Sequence, residues 1–223
     1  MNTYLFYRKK DFLKWPVDSD ACRIYLPMHL FKNQECIEKL NTLSCEKFAT
    51  LPMIRREKLN IALYADCVDG FLAENIADLK LLEGYTFACD FSFNATNTHT
   101  VEYLKLSGAV SVTVSPESSV LPEVEGITQE YMVGGPIAVM RSEHCPVSAA
   151  VGCESGFSCE ECSKRPDHTF WLEEKSGKKY PVLCERNGCR AIILSKEEFR
   201  HTGRIPENAL KRINIFYGED YDG

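Results

Sequence analysis

The sequence predicts an α/β fold: a partial or incomplete TIM-like barrel of βα units over residues 1–140, then a small cysteine-rich β module with the C-terminal tail over residues 141–223. Three observations predict it. Short apolar, β-branched runs alternate with stretches of helical spacing across short connections, the pattern of parallel strands joined by crossover helices. Gly134, Gly135 and Pro136 interrupt the last of those runs. Beyond it, six of the eleven cysteines crowd between Cys145 and Cys189, in a segment too rich in glycine and charge to be packed core.

The elements follow in order. After a charged opening, residues 22–30 (CRIYLPMHL) read as a strand and 32–43 as a helix with Cys36, Ile37, Leu40 and Leu43 on one face. The unit repeats with a strand at 48–54 and a helix at 55–65, whose stripe is Leu59, Ile61, Ala62 and Ala65. Residues 70–74 and 76–82 form a third pair, 85–93 and 98–106 a fourth. Residues 109–114 (AVSVTV) are a buried strand, 118–125 a helix, and 131–140 the closing strand. In the module, 169–172 and 180–183 flank a Lys-Ser-Gly-Lys turn as a hairpin, 191–194 adds a third strand, and 195–201 and 206–213 are short helices. About six βα units fit before residue 140, whereas a complete eight-unit barrel usually takes about 250 residues. Missing strands are therefore expected from the rest of a longer chain or from a partner chain.

A composition of 44% hydrophobic and 26% charged residues is that of a globular chain with one sizeable core, not a disordered one. The net charge of -6 excludes the electrostatic footprint of non-specific duplex binding. The first sixteen residues, MNTYLFYRKKDFLKWP, lack the apolar run of a signal peptide, and no stretch of about 18 apolar residues is present to span a bilayer. The expected setting is cytoplasmic, where cysteines are thiols or metal ligands rather than disulfides.

Two metal readings of those cysteines remain open. Cys159 and Cys162 form a CxxC knuckle that pairs with Cys184 and Cys189 across a hairpin, an approximate zinc ribbon. Alternatively, Cys145 joins Cys159, Cys162 and Cys189 around an iron–sulfur cluster, which needs four thiolates converging from separate loops. Asp90, Asn94 and Asn97 fall at or after the end of one strand, Ser115 and Glu117 at the end of another, on the face where barrel enzymes place their chemistry. Carboxylates and amides there move protons or bind substrate, and they also serve as helix caps. His144, beside Cys145, is a candidate acid/base because imidazole titrates near pH 6.5. No His-Glu-x-x-His zinc motif and no nucleophile elbow is present.

Four stretches resemble the collagenase-like peptidase family U-32, and in its order: residues 23–31 (RIYLPMHLF), 90–97 (DFSFNATN), 114–117 (VSPE), and the run from Met140 through His144, Cys145 and Pro146 to Tyr180, Pro181, Val182 and Cys189. The chain is similar to the later portion of longer members. The resemblance implies a hydrolase acting on collagen-like or other peptides, or, as in members that hydroxylate RNA bases or the ubiquinone ring without molecular oxygen, a 4Fe-4S enzyme. It implies Cys145, Cys159, Cys162 and Cys189 as ligands with Cys153 and Cys184 as the ambiguous pair, zinc being the alternative metal. It further implies catalytic roles for Asp90, Asn94, Glu117 and His144, and substrate contacts for Asn97 and Ser115. RNA, a small aromatic ring or a peptide is the implied partner, and a non-catalytic zinc-stabilised binding module is the alternative. The chain departs from the family at Val133, Gly134 and Gly135, where a Tyr-Gly-Arg is usual, and at Glu74 and Asn75, where the family's turn is richer in glycine.

Overall fold

The fold is taken from a computed structural model, which describes residues 1–55, 58–118, 122–152, 169–185 and 190–218. The chain divides into two compact units. The first comprises Met1–Gly134 and Arg200–Ile215, and the second Gly135–Phe199 and Phe216–Gly223.

The first unit is a closed barrel of eight parallel strands: β1 (Asn2–Phe6), β2 (Ala21–Pro27), β3 (Glu46–Thr50), β4 (Gly70–Ala73), β5 (Phe87–Cys89), β6 (Ser111–Thr113), β7 (Thr128–Gly134) and β12 (Leu210–Ile215). The α/β barrel class holds; its incompleteness does not. The ring closes through β12, which pairs in parallel with both β7 and β1, from Asn2↔Lys211 to Phe6↔Ile215 on the latter side. No strand from another chain is needed. Both ring-closing strands escaped the sequence reading. In β12 the buried positions are Leu210, Arg212 and Asn214, a period of two whose members are mostly polar. Residues 206–213, expected as a helix, therefore end inside a strand. The chain fits eight strands into few residues because its crossovers are short: α1 (Lys9–Lys14), α2 (Gln34–Leu40), α3 (Ile76–Leu81) and α4 (Thr98–Leu106) have at most nine residues each.

Three further expected helices are absent among the described residues. In place of a helix over 55–65 there are single 3-10 turns at Ile61–Leu63 and Ala65–Cys67; Ile61 and Leu59 pack against the core while Ala62 faces solvent, so the four residues of the expected stripe do not share one buried face. The described part of 118–125 is not helical, and Pro122 would remove a helical hydrogen bond there. Residues 195–201 are without helix, and within the first unit the His201 N–H donates to the Met132 carbonyl at 2.8 Å.

Side chains alternate across the barrel wall. Outward-facing Ile24, Leu26, Ala49, Phe71, Ala73, Phe87, Cys89 and Val112 belong to the main core beneath the helices. Leu5, Tyr25, Phe48, Leu72 and Ala88 pack together inside. Gly70 leaves room for the Phe48 ring: a Cβ there would lie 2.7 Å from its nearest atom. Asn33, Asn75 and Asn97 cap α2, α3 and α4, accepting backbone N–H bonds with their side-chain oxygens, and Asp78 completes a capping box with Asn75.

The second unit is a four-stranded antiparallel sheet in the order β8 (Ala138–Ser142), β11 (Arg190–Leu194), β10 (Lys179–Glu185), β9 (Phe170–Glu173), with α5 (Pro146–Val151) after β8. The expected single strand over 131–140 is thus two strands in two sheets, parted at Gly135 and Pro136. Val182, Ala191 and Ile193 make its core, with Phe170 and Tyr180 against them. Gly177 holds the turn of the β9–β10 hairpin at φ +81°, a left-handed conformation that glycine adopts without steric cost.

Candidate active site in the barrel and the cysteine end of the module

Parallel strands leave their C-terminal ends on one face of a barrel, and that face is where barrel enzymes place their reacting groups. Asp90 follows β5 directly and is buried, and its backbone N–H donates to the Ala73 carbonyl at 2.9 Å, so the ladder carries it alongside Glu74 at the end of β4. Glu74 is also buried. Ser115 follows β6, buried, with its N–H on the Ala95 carbonyl at 3.0 Å.

The barrel interior below these ends is ionic. Arg212, with no exposed surface, donates from Nη1 to Asp90 Oδ1, and its Nη2 lies 2.6 Å from Glu130 Oε2. Glu130 accepts further bonds from Thr3 Oγ1 (2.6 Å), Tyr25 Oη (3.0 Å) and Thr113 Oγ1 (2.8 Å), so four strands converge on one carboxylate through their side chains. The Arg212 guanidinium also stacks 4.4 Å from the Tyr25 ring centre. On the far side Arg23 donates to Ser111 Oγ at 2.6 Å, Tyr25 Oη at 3.2 Å and Glu46 Oε2 at 2.7 Å, and lies over the Phe48 ring.

The electrostatics follow from that geometry. Burial pushes the Tyr25 hydroxyl up to about 12, and the neighbouring Glu130 charge adds to it, so Tyr25 is a neutral donor. Burial by itself would pull the Arg212 guanidinium down; the Glu130 and Asp90 carboxylates overcome it and hold the guanidinium above its ordinary range. Burial, with the Asp90 and Asp78 charges, raises the Cys89 thiol far above the thiol range, which keeps it from acting as a thiolate nucleophile.

The structure separates the residues expected from sequence. Asp90 and Ser115 lie at barrel strand ends. Asn94 is an exposed left-handed residue at φ 52°, closing the 3-10 turn Phe91–Phe93. Asn97 is exposed, and its oxygen is occupied by the Thr100 N–H at 3.0 Å. Glu117 is exposed in the turn after Ser115. His144 is exposed in the second unit, its N–H on Ser142 Oγ at 3.1 Å. The ionic interior was missed: Arg23, Glu130 and Arg212 were passed over as charges inside otherwise apolar runs. A charge set within a strand-like run, as in CRIYLP, TQEYMV and KRINIF, is the signal that would have found them.

Of the expected metal ligands, Cys145 is described; Cys159, Cys162 and Cys189 lie outside the described residues, as does Cys153. Cys145 caps α5, its Sγ accepting the Ser148 N–H at 3.5 Å. Strand register aligns Ser142 with Ala191 and Ala191 with Cys184, and it pairs Glu185 with Arg190. Together with the Val182↔Phe170 pairing, this puts the end of β8, the start of β9, the end of β10 and the start of β11 at one end of the sheet. No group of three or more His, Cys, Asp or Glu residues assembles as a metal site among the described residues.

Fold and site together define an α/β-barrel protein with a polar, ion-paired interior, carrying an antiparallel module on the connection between its last two strands. The chain is similar to a solved structure, the U32 peptidase Mk0906, with 13% identity, 98% of this chain and 93% of that chain covered, and a TM-score of 0.55. The two share a fold. No protein-family model matches the chain, and no curated protein matches it. No helix among the described residues is long and apolar enough to cross a membrane.

Proposed function

We propose that the chain is an iron–sulfur enzyme of the U32 peptidase family, of the oxygen-independent hydroxylase type, acting on an RNA base or a quinone-like ring. The observation that carries this reading is the register of the module sheet. It brings to one end Ser142, three residues before Cys145, together with Glu185 and Arg190, between which Cys189 falls in sequence, and Phe170 at the start of β9. Thiolates from separate loops at one sheet end are the donor set that a 4Fe-4S cluster requires. Cys145, Cys159, Cys162 and Cys189 would hold it, and a cluster bound there supplies single-electron chemistry. In the barrel, Asp90 is the acid/base carboxylate and Ser115 a substrate contact, with Asn94, Asn97 and Glu117 on the loops around them and His144 beside the cluster loop. The cytoplasm is the compartment that keeps such thiols reduced.

Peptide hydrolysis is the second reading, favoured by the name of the similar structure. A zinc-stabilised binding module is the third, since the same thiolates suit zinc. Anaerobic purification of the full chain followed by iron, sulfide and zinc analysis decides among them. Iron and sulfide in equal amounts, with visible absorption that disappears on serine replacement of Cys145, Cys159, Cys162 and Cys189, is the expected result. A colourless chain with stoichiometric zinc overturns it, and peptide cleavage that survives all four replacements transfers the case to the peptidase.

A further inference from the structure

From the ion-paired interior we infer that Arg212 is a positioning residue, clamped by Glu130, that holds Asp90 by one oxygen and leaves the other for the hydrogen-bond donor of a ligand at the barrel mouth. This rests on the reading of Asp90 as the acid/base group. It adds two residues that no motif had singled out, and a division of labour between two buried carboxylates.

The asymmetry of the contacts carries it. Glu130 is saturated: Oε1 accepts from Thr3 and Tyr25, and Oε2 accepts from Thr113 and pairs with Arg212. The three hydrogen-bond donors come from β1, β2 and β6 and the ion pair from β12, so Glu130 cannot move without disturbing contacts to four strands. Asp90 has a single side-chain partner among the described residues, Arg212, which takes Oδ1. Its Oδ2 accepts no hydrogen bond among them and is not one of the fully buried atoms, so the small exposed surface of Asp90, 3%, leaves this oxygen reachable. A carboxylate oxygen that no side chain occupies, reachable on an otherwise buried residue at the end of a barrel strand, is where a ligand would supply a donor. The guanidinium is fixed on the other side by Glu130 and from its face by the Tyr25 ring at 4.4 Å, so the orientation of Asp90 is set by a group that is itself immobile. The ligand chemistry that follows is an N–H or O–H donor, such as the amino or imide edge of a heterocycle or a ring hydroxyl. Phosphate has no place at this carboxylate.

The charged groups around Asp90 are Arg212 and, beyond it, Glu130; Glu74 stands beside it at the end of β4, with Asp78 accepting the Glu74 N–H at 3.0 Å. Two substitutions separate the roles. Arg212 Nε–H is buried with no hydrogen-bond partner among the described residues, so its exchange with solvent reports opening of the interior. In full-length protein labelled for nitrogen NMR, Asp90→Asn is expected to leave that exchange within about threefold of wild type and the unfolding midpoint nearly unchanged. Glu130→Gln is expected to speed it by about tenfold or more, with a clear loss of midpoint. Equal effects of the two, or a larger effect from Asp90→Asn, would falsify the division of roles. Should Glu130→Gln fail to fold, Thr113→Val, which removes one of the bonds that saturate Glu130, provides the same comparison in milder form: faster exchange than in Asp90→Asn supports the clamp, and slower exchange refutes it. Iron analysis of the same samples is independent. A chain without iron that still shows the asymmetry loses the cluster but keeps the clamp, and the reverse outcome loses the clamp alone.

Discussion

His201 sits on the outer wall of the barrel with its ring edge against Tyr131, 5.2 Å between centres, and its Nε2 buried without a partner among the described residues. Burial holds its imidazole below the ordinary histidine range. As the pH falls the unfolded chain therefore takes up the proton first, and the stability present above about pH 6.5 is lost as the pH drops through that value toward the folded pKa. Carboxylates titrate in the same direction at lower pH, so the comparison is with His201→Leu: between about pH 7.5 and about pH 5.5 the wild-type melting temperature is expected to fall further than that of the variant. Parallel declines would remove the histidine from the account. At this scale the sequence was a partial guide. The places of Asp90 and Ser115 at barrel strand ends were legible because each directly follows an apolar, strand-like run. Arg212 and Glu130 were not, because a buried charge is tolerable only once its partners on other strands are known.

Between elements, the decisive packing is where one residue's absence makes room for another's presence. Gly70 opens β4 beneath the Phe48 ring of β3, and Phe48 in turn supports Arg23, whose guanidinium carbon lies 4.1 Å from the ring centre. Gly70→Ala is expected to cost about 1–3 kcal/mol by urea unfolding, the range of overpacking in a filled interior. Adding Phe48→Leu should recover part of that loss; a double variant no better than the sum of the two singles would show that the ring is not the obstacle. Outside the barrel, Lys39 of α2 donates to the carbonyls of Phe12 and Leu13 and to that of Trp15, closing the end of α1, with the ammonium near the Phe12 and Trp15 rings. The helices α3 and α4 were readable from spacing and caps. The stretch 55–65 had helical spacing, but only Leu59 and Ile61 of its stripe pack against the core, and periodicity alone does not report what lies opposite a stripe.

For the first unit, the pairing that matters most joins the two ends of the chain. β12 lies between β1 and β7, and it delivers Arg212 to two carboxylates from other strands. Removing it exposes two strand edges and leaves Asp90 and Glu130 buried without their cation. A chain ending at Phe199 is expected to be insoluble or to bind a hydrophobic dye, with loss of cooperative unfolding by circular dichroism. A soluble, cooperatively melting product would mean that seven strands suffice.

The sequence by itself determined the α/β alternation, the strands from β2 to β7 and the hairpin and third strand of the module, because an apolar run or a helical stripe is a local property. It also determined the polar residues at the ends of β5 and β6. Tertiary structure decided the closure of the ring, the separation of β7 from β8 into two sheets, and the ionic interior. The physical reason is the same in each case. Arg212 and Asn214 lie inward on a strand that looks polar in sequence, and what makes that arrangement stable is supplied by residues more than a hundred positions away, Asp90 at one end of the guanidinium and Tyr7 on the Asn214 amide.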